Sequence, residues 1–254
     1  MTALTVLGSA GGAPTRTNPA SGYLLESGDT AIWIDAGTGT FMELARHIDP
    51  GTLSGVVLSH IHVDHCSDVF GLYGYLAFGP SGIIPVPVFG PTGASEHLSA
   101  FARAGEEHVF HMVLGLVDVE AGSDAAVGEV SIRFGRAVHP VPALVSRFDT
   151  PGGSLAYSGD TGPGSDLAEL ARGADVVLCE ATIVGERSAD TYPYHLTAGE
   201  AGRIGAEAGV SSLILTHFAS GVDADQALEE AAAEFRGTIE LAVPGTTFAI
   251  GGRL

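Results

Sequence analysis

The sequence predicts an α/β fold built from two similar halves. Each half opens with apolar or alternating runs that indicate strands, and continues with strands that alternate with helical patterns. No low-complexity linker interrupts the chain, so we expect residues 1–254 to form a single domain. Hydrophobic residues make up 45% of the sequence, which favours a large core over disorder.

The first half is predicted to start with three strands and a helix. The strands are ALTVLGSAG, SGYLLESG and TAIWIDAG, which are separated by turn-forming residues, and the helix is TFMELARHI. A buried strand, LSGVVLSH, a helix, CSDVFGLYGYLAF, and a strand with a turn, VPVFGPTG, follow. Residues 93–125 are expected to hold a helix, ASEHLSAFARAG, and then an insertion that carries His97, His108 and His111.

The second half is predicted to repeat this order. Its strands are expected near residues 127–135, 143–148, 154–159, 175–181, 211–217, 238–242 and 246–250. Its helices are expected near residues 165–172, 197–209 and 223–235. The order resembles a duplicated unit of two strands followed by strand–helix alternation.

The charge of the chain argues against a long polyanionic partner. The formal net charge is −19, and every basic residue is Arg. A protein that binds nucleic acid neutralises phosphates with Lys and Arg, so this chain as a whole would repel one.

A reduced, cytoplasmic protein without a membrane partner is expected. The apolar runs are too short to span a bilayer, and the N-terminus lacks the pattern of a signal peptide. The two cysteines, Cys66 and Cys179, make no disulfide framework. Cys66 follows a histidine cluster and is a candidate soft metal ligand, although we favour a small buried residue that opens a helix.

The segment LSHIHVDHCSDVFG, residues 58–71, concentrates metal-binding side chains. His60, His62, Asp64 and His65 directly follow an apolar strand. Imidazoles suit zinc and similar metals, and carboxylates suit harder cations. On an extended strand end His60, His62 and Asp64 would share one side, and burial of the four side chains without a metal would leave them unsatisfied. We therefore favour a metal site over a solvated polar loop.

Other polar residues also stand at the ends of apolar runs. They are Asp35, His139, Asp160 and His217. One such residue is ordinary, but their recurrence at the edge where α/β sheets place their sites favours a shared site. His195 differs, because it precedes a predicted helix start in LTAGEAG, where backbone N–H groups favour an anion.

These motifs resemble those of the metallo-β-lactamase-fold hydrolases. The resemblance covers most of the chain and rests on VLGSAGG, IDAG, HxHxDH, AVHPVPALVSRF, YSGDTG, CEAT, HLTAGEAG and LTHF. It implies a four-layer αβ/βα sandwich made of two similar halves. Within that fold, HPVPALVSRF, YSGDT, EAT and HLTAGEAG are similar to the ribonuclease Z-like phosphodiesterases, whereas classical lactamases and glyoxalase-type thioesterases lack this combination.

The resemblance also implies two divalent metal ions. Zinc is expected, with manganese and iron as alternatives. The implied ligands are His60, His62 and His139 for one ion, Asp64, His65 and His217 for the other, and Asp160 as a bridge. A hydroxide between the ions would attack the substrate.

The remaining roles also follow from the resemblance. Asp64 and His195 are the expected catalytic residues, and His195 would meet the phosphate or protonate the leaving oxygen. Asp35 would orient ligands of the histidine loop, and Glu180 would fix the tautomer of His195.

The expected substrate is a small phosphodiester such as a cyclic nucleotide. Ribonuclease Z holds tRNA with a long arm between the ligands that correspond to His139 and Asp160, but here that interval is predicted to form only two strands and a turn. Residues 93–125 are a poor substitute for the arm, because their only Arg or Lys is Arg103 and they include several acidic residues. The segments NPASGYLL, YSGDTG and CEA are similar to an armless actinobacterial group described as cyclic-nucleotide phosphodiesterases. A tRNA endonuclease and a hydrolase of lactones, sulfate esters or thioesters are the alternatives.

Two further features are left open by the sequence. Aromatic side chains after the histidine cluster either wall a pocket for a base or belong to the core, and they are Phe70, Tyr73, Tyr75 and Phe78. A homodimer is compatible with the sequence but is not indicated by it.

Overall fold

The strands pair into two seven-stranded sheets. The computed structural model describes residues 1–79, 83–102, 107–188, 190 and 192–251. The first sheet comprises β1 (Thr2–Gly8), β2 (Gly22–Ser27), β3 (Thr30–Ala36), β4 (Gly55–Val57), β5 (Val86–Pro91), β6 (Leu114–Val119) and β14 (Thr247–Ile250). The second sheet comprises β7 (Asp124–Val127), β8 (Val130–Arg136), β9 (Leu144–Thr150), β10 (Gly153–Tyr157), β11 (Val176–Glu180), β12 (Ser212–Thr216) and β13 (Thr238–Leu241).

Helices cover the outer face of each sheet. On the first sheet they are α1 (Thr40–His47), α2 (Val63–Cys66), α3 (Val69–Phe78), α4 (Ala94–Ala102) and α5 (Glu107–Val113). On the second sheet they are α6 (Leu167–Leu170), α7 (Ala198–Ala208) and α8 (Ala224–Glu234). A third apolar cluster lies between the two sheets. The predicted four-layer αβ/βα sandwich is therefore confirmed.

The two halves share one pattern of strand pairing. From β1 to β6, successive strands pair antiparallel, antiparallel, parallel, parallel and parallel. From β8 to β13, the same succession recurs. The duplicated unit predicted from the sequence is thus visible in the sheets. The parallel strands of each half bring their carboxyl ends to one edge, as the mononucleotide-binding sheets of other α/β proteins do.

Residues 93–125 depart from the prediction of an insertion. They form α4, α5 and β6, and β6 pairs in parallel with β5 as the edge strand of the first sheet. His97 lies on α4, and His108 and His111 lie on α5. The end of the predicted helix, with Arg103, lies outside the described residues.

The segment after the histidine cluster forms two helices rather than one. α2 ends at Cys66, and α3 begins at Val69. Asp68, between them, turns its carboxylate back to accept the backbone N–H groups of Gly39 and Phe41. Cys66 therefore ends a helical turn, where we expected it to open a helix.

No helix in the described ranges combines the length and the apolar composition that a bilayer crossing requires.

We predict that Gly37→Ala destabilises the fold, because Gly37 is where the first sheet meets the histidine loop. A Cβ there would lie 2.0 Å from the carbonyl oxygen of Asp64 and 2.7 Å from that of Ser21. We expect a loss of about 1–3 kcal/mol in the free energy of unfolding, measured by urea denaturation. Gly74→Ala is the matched control, since a Cβ at this position in α3 meets nothing within 4 Å and should be neutral or stabilising. Equal unfolding midpoints for the two variants would contradict the contact.

Candidate metal centre

The predicted site residues lie together at one edge of both sheets. Asp35 lies at the end of β3, and the histidine loop follows β4 of the same sheet. His139, Asp160 and His217 follow β8, β10 and β12 of the second sheet. Because these strands run in the same direction within their sheets, their carboxyl ends converge on the gap between the sheets.

The histidine loop is not a strand end, which corrects the sequence interpretation. β4 ends at Val57, and the backbone N–H of Ser59 turns away to the carboxylate of Asp35 at 2.7 Å. His60 and His62 lie in the loop, whereas Asp64 and His65 lie on the short helix α2. The close grouping therefore comes from a loop and a helical turn instead of from strand alternation.

One group of nitrogen donors surrounds His62. Nδ1 of His62 lies 3.0 Å from Nε2 of His60 and 3.1 Å from Nε2 of His139. Oδ2 of Asp160 lies 3.8 Å from the same nitrogen of His60. These four side chains satisfy the spacing of a metal-binding group.

A second group surrounds Asp160. Its Oδ1 lies 3.2 Å from Nε2 of His65 and 3.2 Å from Nε2 of His217. Oδ2 of Asp64 lies 3.5 Å and 3.4 Å from these two nitrogens. The four side chains form another group with metal-binding spacing, and Asp160 belongs to both groups.

Hydrogen bonds set the tautomers of four of these histidines. In each ring, Nδ1–H donates to an oxygen, so Nε2 presents a lone pair to the gap. The acceptors are Ser59 Oγ for His60 (3.1 Å), Asp35 Oδ2 for His65 (2.7 Å), the Tyr194 carbonyl for His139 (3.4 Å) and Thr182 Oγ1 for His217 (2.8 Å). This is the tautomer that a metal-binding imidazole needs.

Asp35 supports the histidine loop from the first sheet. Its buried carboxylate accepts hydrogen bonds from His65, from the hydroxyl of Tyr157 at 2.6 Å, and from the backbone and hydroxyl of Ser59. Burial and the negative charge of Asp35 raise the pKa of Tyr157 well above its usual value, so its hydroxyl stays a donor. Asp35 has a backbone φ of 54°, a left-handed conformation that non-glycine residues rarely adopt.

The buried side chains of the two groups are strongly perturbed. Burial and the neighbouring charge of His65 hold the pKa of His60 well below its usual value, and burial lowers the pKa of His139 to about 4. Burial opposes ionisation of Asp160, but the charges of His217 and His65 outweigh it and hold its pKa well below the usual range. Burial opposes protonation of His65, but the charges of Asp160 and Asp35 outweigh it and raise its pKa well above the usual value. A metal ion would replace that proton, because imidazole binds metal in its neutral form.

The donor set fits divalent cations. Nε2 of His65 and Nε2 of His217 face each other at 3.2 Å. Oδ1 of Asp160 is buried without a hydrogen-bond partner in the described structure. Three acceptors in contact repel one another unless a cation lies among them. Cys66 does not join them, because its buried thiol donates to the carbonyl of Ile61 and its pKa is raised to about 11.

His195 lies beside the two groups and is held by Glu180. Its Nδ1 is 3.1 Å from Oε2 of Glu180 and 4.0 Å from Oδ2 of Asp160. Burial lowers the pKa of His195, but the hydrogen bond and charge of Glu180 outweigh it, so the pKa is raised above its ordinary value. The expected contact between Glu180 and His195 is therefore present.

Thr182 is a residue of the site that sequence reasoning missed. Its hydroxyl donates to Oε2 of Glu180 at 2.5 Å and accepts from Nδ1 of His217 at 2.8 Å. Glu180 thus orients His195 directly and His217 through Thr182. The sequence signal is its place in CEAT, two residues after Glu180 at the end of β11, but a hydroxyl alone does not mark a metal site.

A cleft of about 220 Å³ opens over the two groups. Besides predicted residues, it is lined by Gly11, Gly12, Thr182, Tyr192 and Ala219. The backbone N–H of Gly12 donates to Oδ2 of Asp64 at 2.8 Å, which ties the loop after β1 to the site.

The aromatic residues after the histidine cluster do not line this cleft. Tyr73 is buried against Phe110, Phe70 packs on Phe101, and Tyr75 donates to Asp49. Tyr73 therefore belongs to the core, and Phe70 and Tyr75 pack partly buried against it, whereas Phe78 is exposed and fits neither alternative.

The fold and the site can now be compared with known proteins. A protein-family profile described as a β-lactamase superfamily domain matches residues 30–218. The chain belongs to the β-lactamase superfamily. This match spans the histidine loop and the other residues that converge on the gap between the sheets.

Superfamily relatives resemble the chain over nearly its whole length. It is 38% identical to an uncharacterized protein of Mycobacterium leprae, over 97% of this chain and 88% of the relative. It is 33% identical to the ribonuclease Z of Kineococcus radiotolerans, over 93% of this chain and 88% of that protein. The crystal structure of the metallo-β-lactamase fold protein YhfI from Bacillus subtilis superposes with a TM-score of 0.87 at 25% identity, covering 98% and 99% of the two chains. At this level the chain is a metallo-β-lactamase superfamily hydrolase.

We predict that Asp35→Ala lowers the free energy of unfolding by about 3–5 kcal/mol, because it leaves buried donors unpaired around His65 and Tyr157. Asp35→Asn should cost less, about 1–3 kcal/mol, since Asn tolerates the left-handed backbone and retains one acceptor oxygen. Urea denaturation measures both variants. Asp124→Ala, at an exposed carboxylate on β7, is the control and should change stability by less than about 0.5 kcal/mol. An Asp35→Ala variant as stable as this control would refute the supporting role.

Proposed function

We propose that the protein is a dinuclear-metal-dependent phosphodiesterase that hydrolyses a small diester such as a cyclic nucleotide. The observation that carries the proposal is the sharing of buried Asp160 between two adjacent groups of metal-type donors. A carboxylate at that position can serve two cations at once. The buried free thiols suit a reducing compartment such as the cytoplasm.

The two donor groups define the proposed ligands. His60, His62 and His139 would hold one ion, Asp64, His65 and His217 would hold the other, and Asp160 would serve both. Imidazole with carboxylate suits zinc, and manganese or iron can use the same donors. When bound, such ions supply Lewis acidity that activates water and offsets the negative charge of a phosphodiester. This match of donor chemistry to reaction supports the assignment.

His195 and Asp64 are the proposed catalytic residues. Glu180 holds Nδ1–H of His195, so Nε2 is the ring nitrogen that would deliver a proton to the departing alkoxide. Asp64 is tied to the backbone of Gly12 and lines the cleft, where its carboxylate would accept a hydrogen bond from the attacking water. Asp35 and Glu180 would act through the side chains they orient.

The absence of a basic arm supports a small substrate. The interval between His139 and Asp160 is filled by the hairpin of β9 and β10, which are joined by a tight turn. A net charge of −19 opposes binding of a long polyanion. The cleft of about 220 Å³ is on the scale of a small molecule and is open at one side.

Processing of tRNA is the second candidate, because a relative at 33% identity is named ribonuclease Z. Hydrolysis of lactones, sulfate esters or thioesters would use the same donor groups. A screen of metal-loaded protein against cyclic nucleotides, aryl phosphodiesters, lactones and precursor tRNA separates these functions. We expect turnover of the first two classes. Cleavage of precursor tRNA or of lactones, with no hydrolysis of cyclic nucleotides or aryl phosphodiesters, would overturn the proposal.

We predict about two divalent ions per chain in protein purified without chelator, measured by elemental analysis. Asp160→Ala should lose metal from both sites, because its carboxylate is common to both groups. Asp124→Ala removes an exposed carboxylate outside the site and should keep the wild-type metal content. Full metal content and turnover in the Asp160 variant would show that the ligand assignment is wrong.

We predict that His195→Ala keeps its metal and loses turnover according to the leaving group. A cyclic nucleotide releases a ribose alkoxide that needs a proton, so its kcat should fall by about 10²- to 10⁴-fold. A nitrophenyl phosphodiester releases a weakly basic phenolate, so its kcat should fall much less. Equal losses on the two substrates would indicate that His195 binds the phosphate instead of acting as a general acid.

A further inference from the structure

We propose that Tyr192 is the surface on which the nucleobase of the substrate stacks, and that it makes the enzyme selective for base-bearing diesters. The inference rests on the proposed phosphodiesterase function and specifies its substrate class. Tyr192 lines the cleft above the donor groups, yet its side chain stays 52% exposed. A large aromatic ring left exposed at the rim of a polar cleft is a typical feature of a ligand-binding surface.

Tyr192 lies within reach of the proposed reaction centre. Its ring centroid is 5.6 Å from that of His195, with a tilt of 36° between the planes. The ring of Tyr194 meets the ring of Tyr192 edge-on, with 5.2 Å between their centroids. A diester with its phosphate beside His195 would therefore carry its larger substituent past Tyr192.

Hydrogen bonds hold the backbone from Tyr192 to His195. The guanidinium of Arg187 donates to the carbonyl oxygens of Tyr192 and His195, and it also pairs with Glu200 at the start of α7. The carbonyl of Tyr194 accepts Nδ1–H of His139. A stacking ring that is positioned before binding loses less entropy when the ligand arrives.

Gly162 adds a steric support to this segment. A Cβ at Gly162 would lie only 1.9 Å from the carbonyl oxygen of Pro193, so the chain packs directly on the loop that follows Asp160. The backbone that carries Tyr192 is thus positioned relative to the donor groups through Gly162 and Arg187.

The other walls of the cleft offer little competition for a base. Gly11, Gly12 and Ala219 have no side chain that can stack, and the histidines of the donor groups have their ring nitrogens directed at the gap. Stacking on an aromatic ring is tolerant of base identity, because every base has a π-face. We therefore expect the enzyme to prefer diesters that carry a nucleobase strongly over diesters that lack one, and to discriminate only weakly among the different bases.

Kinetics test this selectivity. The substrates are an adenosine 3′,5′-cyclic phosphate and the corresponding 1-O-methylribose cyclic phosphate, which lacks the base. Tyr192→Ala should lower the ratio of their kcat/KM values by about 10- to 100-fold, mainly through KM for the nucleotide, whereas Tyr192→Phe should retain most of the ratio. Phe78→Ala removes an exposed aromatic ring outside the cleft and is the control that should leave the ratio unchanged. An unchanged ratio in Tyr192→Ala overturns the inference.

A binding measurement separates this inference from the catalytic proposal. The fluorescence of a 2-aminopurine cyclic nucleotide is quenched when its base stacks on an aromatic ring. We expect quenching with the wild type and with Tyr192→Phe, and its loss with Tyr192→Ala. Quenching that depends on Tyr192 without any hydrolysis would sink the phosphodiesterase proposal and keep the stacking site. Hydrolysis without Tyr192-dependent quenching would keep the phosphodiesterase proposal and overturn the stacking site. The absence of both hydrolysis and quenching would overturn both proposals.

Discussion

The central constraint in this molecule is the contact of acceptors at the gap between the sheets. Nε2 of His65 and Nε2 of His217 face each other at 3.2 Å, with Oδ1 of Asp160 at the same distance from each. Each atom comes from a different part of the chain. The sandwich holds together a set of like groups that repel in the absence of a cation. The surrounding hydrogen bonds are best understood as the means of holding them there.

Two buried carboxylates, one from each sheet, fix the orientation of these side chains through hydrogen bonds. Asp35 at the end of β3 orients His65 and Ser59, while Glu180 at the end of β11 orients His195 and, through Thr182, His217. Strained backbone conformations also occur once at the end of a strand in each sheet. Asp35 and His217 are the non-glycine residues of the described chain with positive φ, and both lie where a strand turns abruptly into the site. Unfavourable backbone geometry is thus concentrated where chemistry needs a side chain aimed across the gap.

Much of this arrangement was predictable from the sequence, because strand periodicity and ligand-type residues are local signals. The position of Asp160 after an apolar run predicted its place at the sheet edge, and the pairing of β1 to β6 matches that of β8 to β13. What could not be predicted depends on tertiary packing. β6 looked like an insertion because its partner β5 lies more than twenty residues away in sequence. The sequence suggests aromatic residues near Phe70 as a wall of the cleft, whereas Tyr192 is the aromatic residue that lines it. No periodic pattern encodes how the segment with Pro193 packs on Gly162.

The pairing of β14 with β1 has a consequence for how the chain is made. Thr2 pairs with Ile250, so the first sheet stays one strand short until residue 250 has left the ribosome. During synthesis the outer edge of β1 is an open template for another strand. Because closure of this edge brings together residues far apart in sequence, it is entropically slow. The histidine loop is thus translated on a sheet that remains incomplete until β14 is made, and the vulnerable interval for misassociation coincides with the translation of the second sheet.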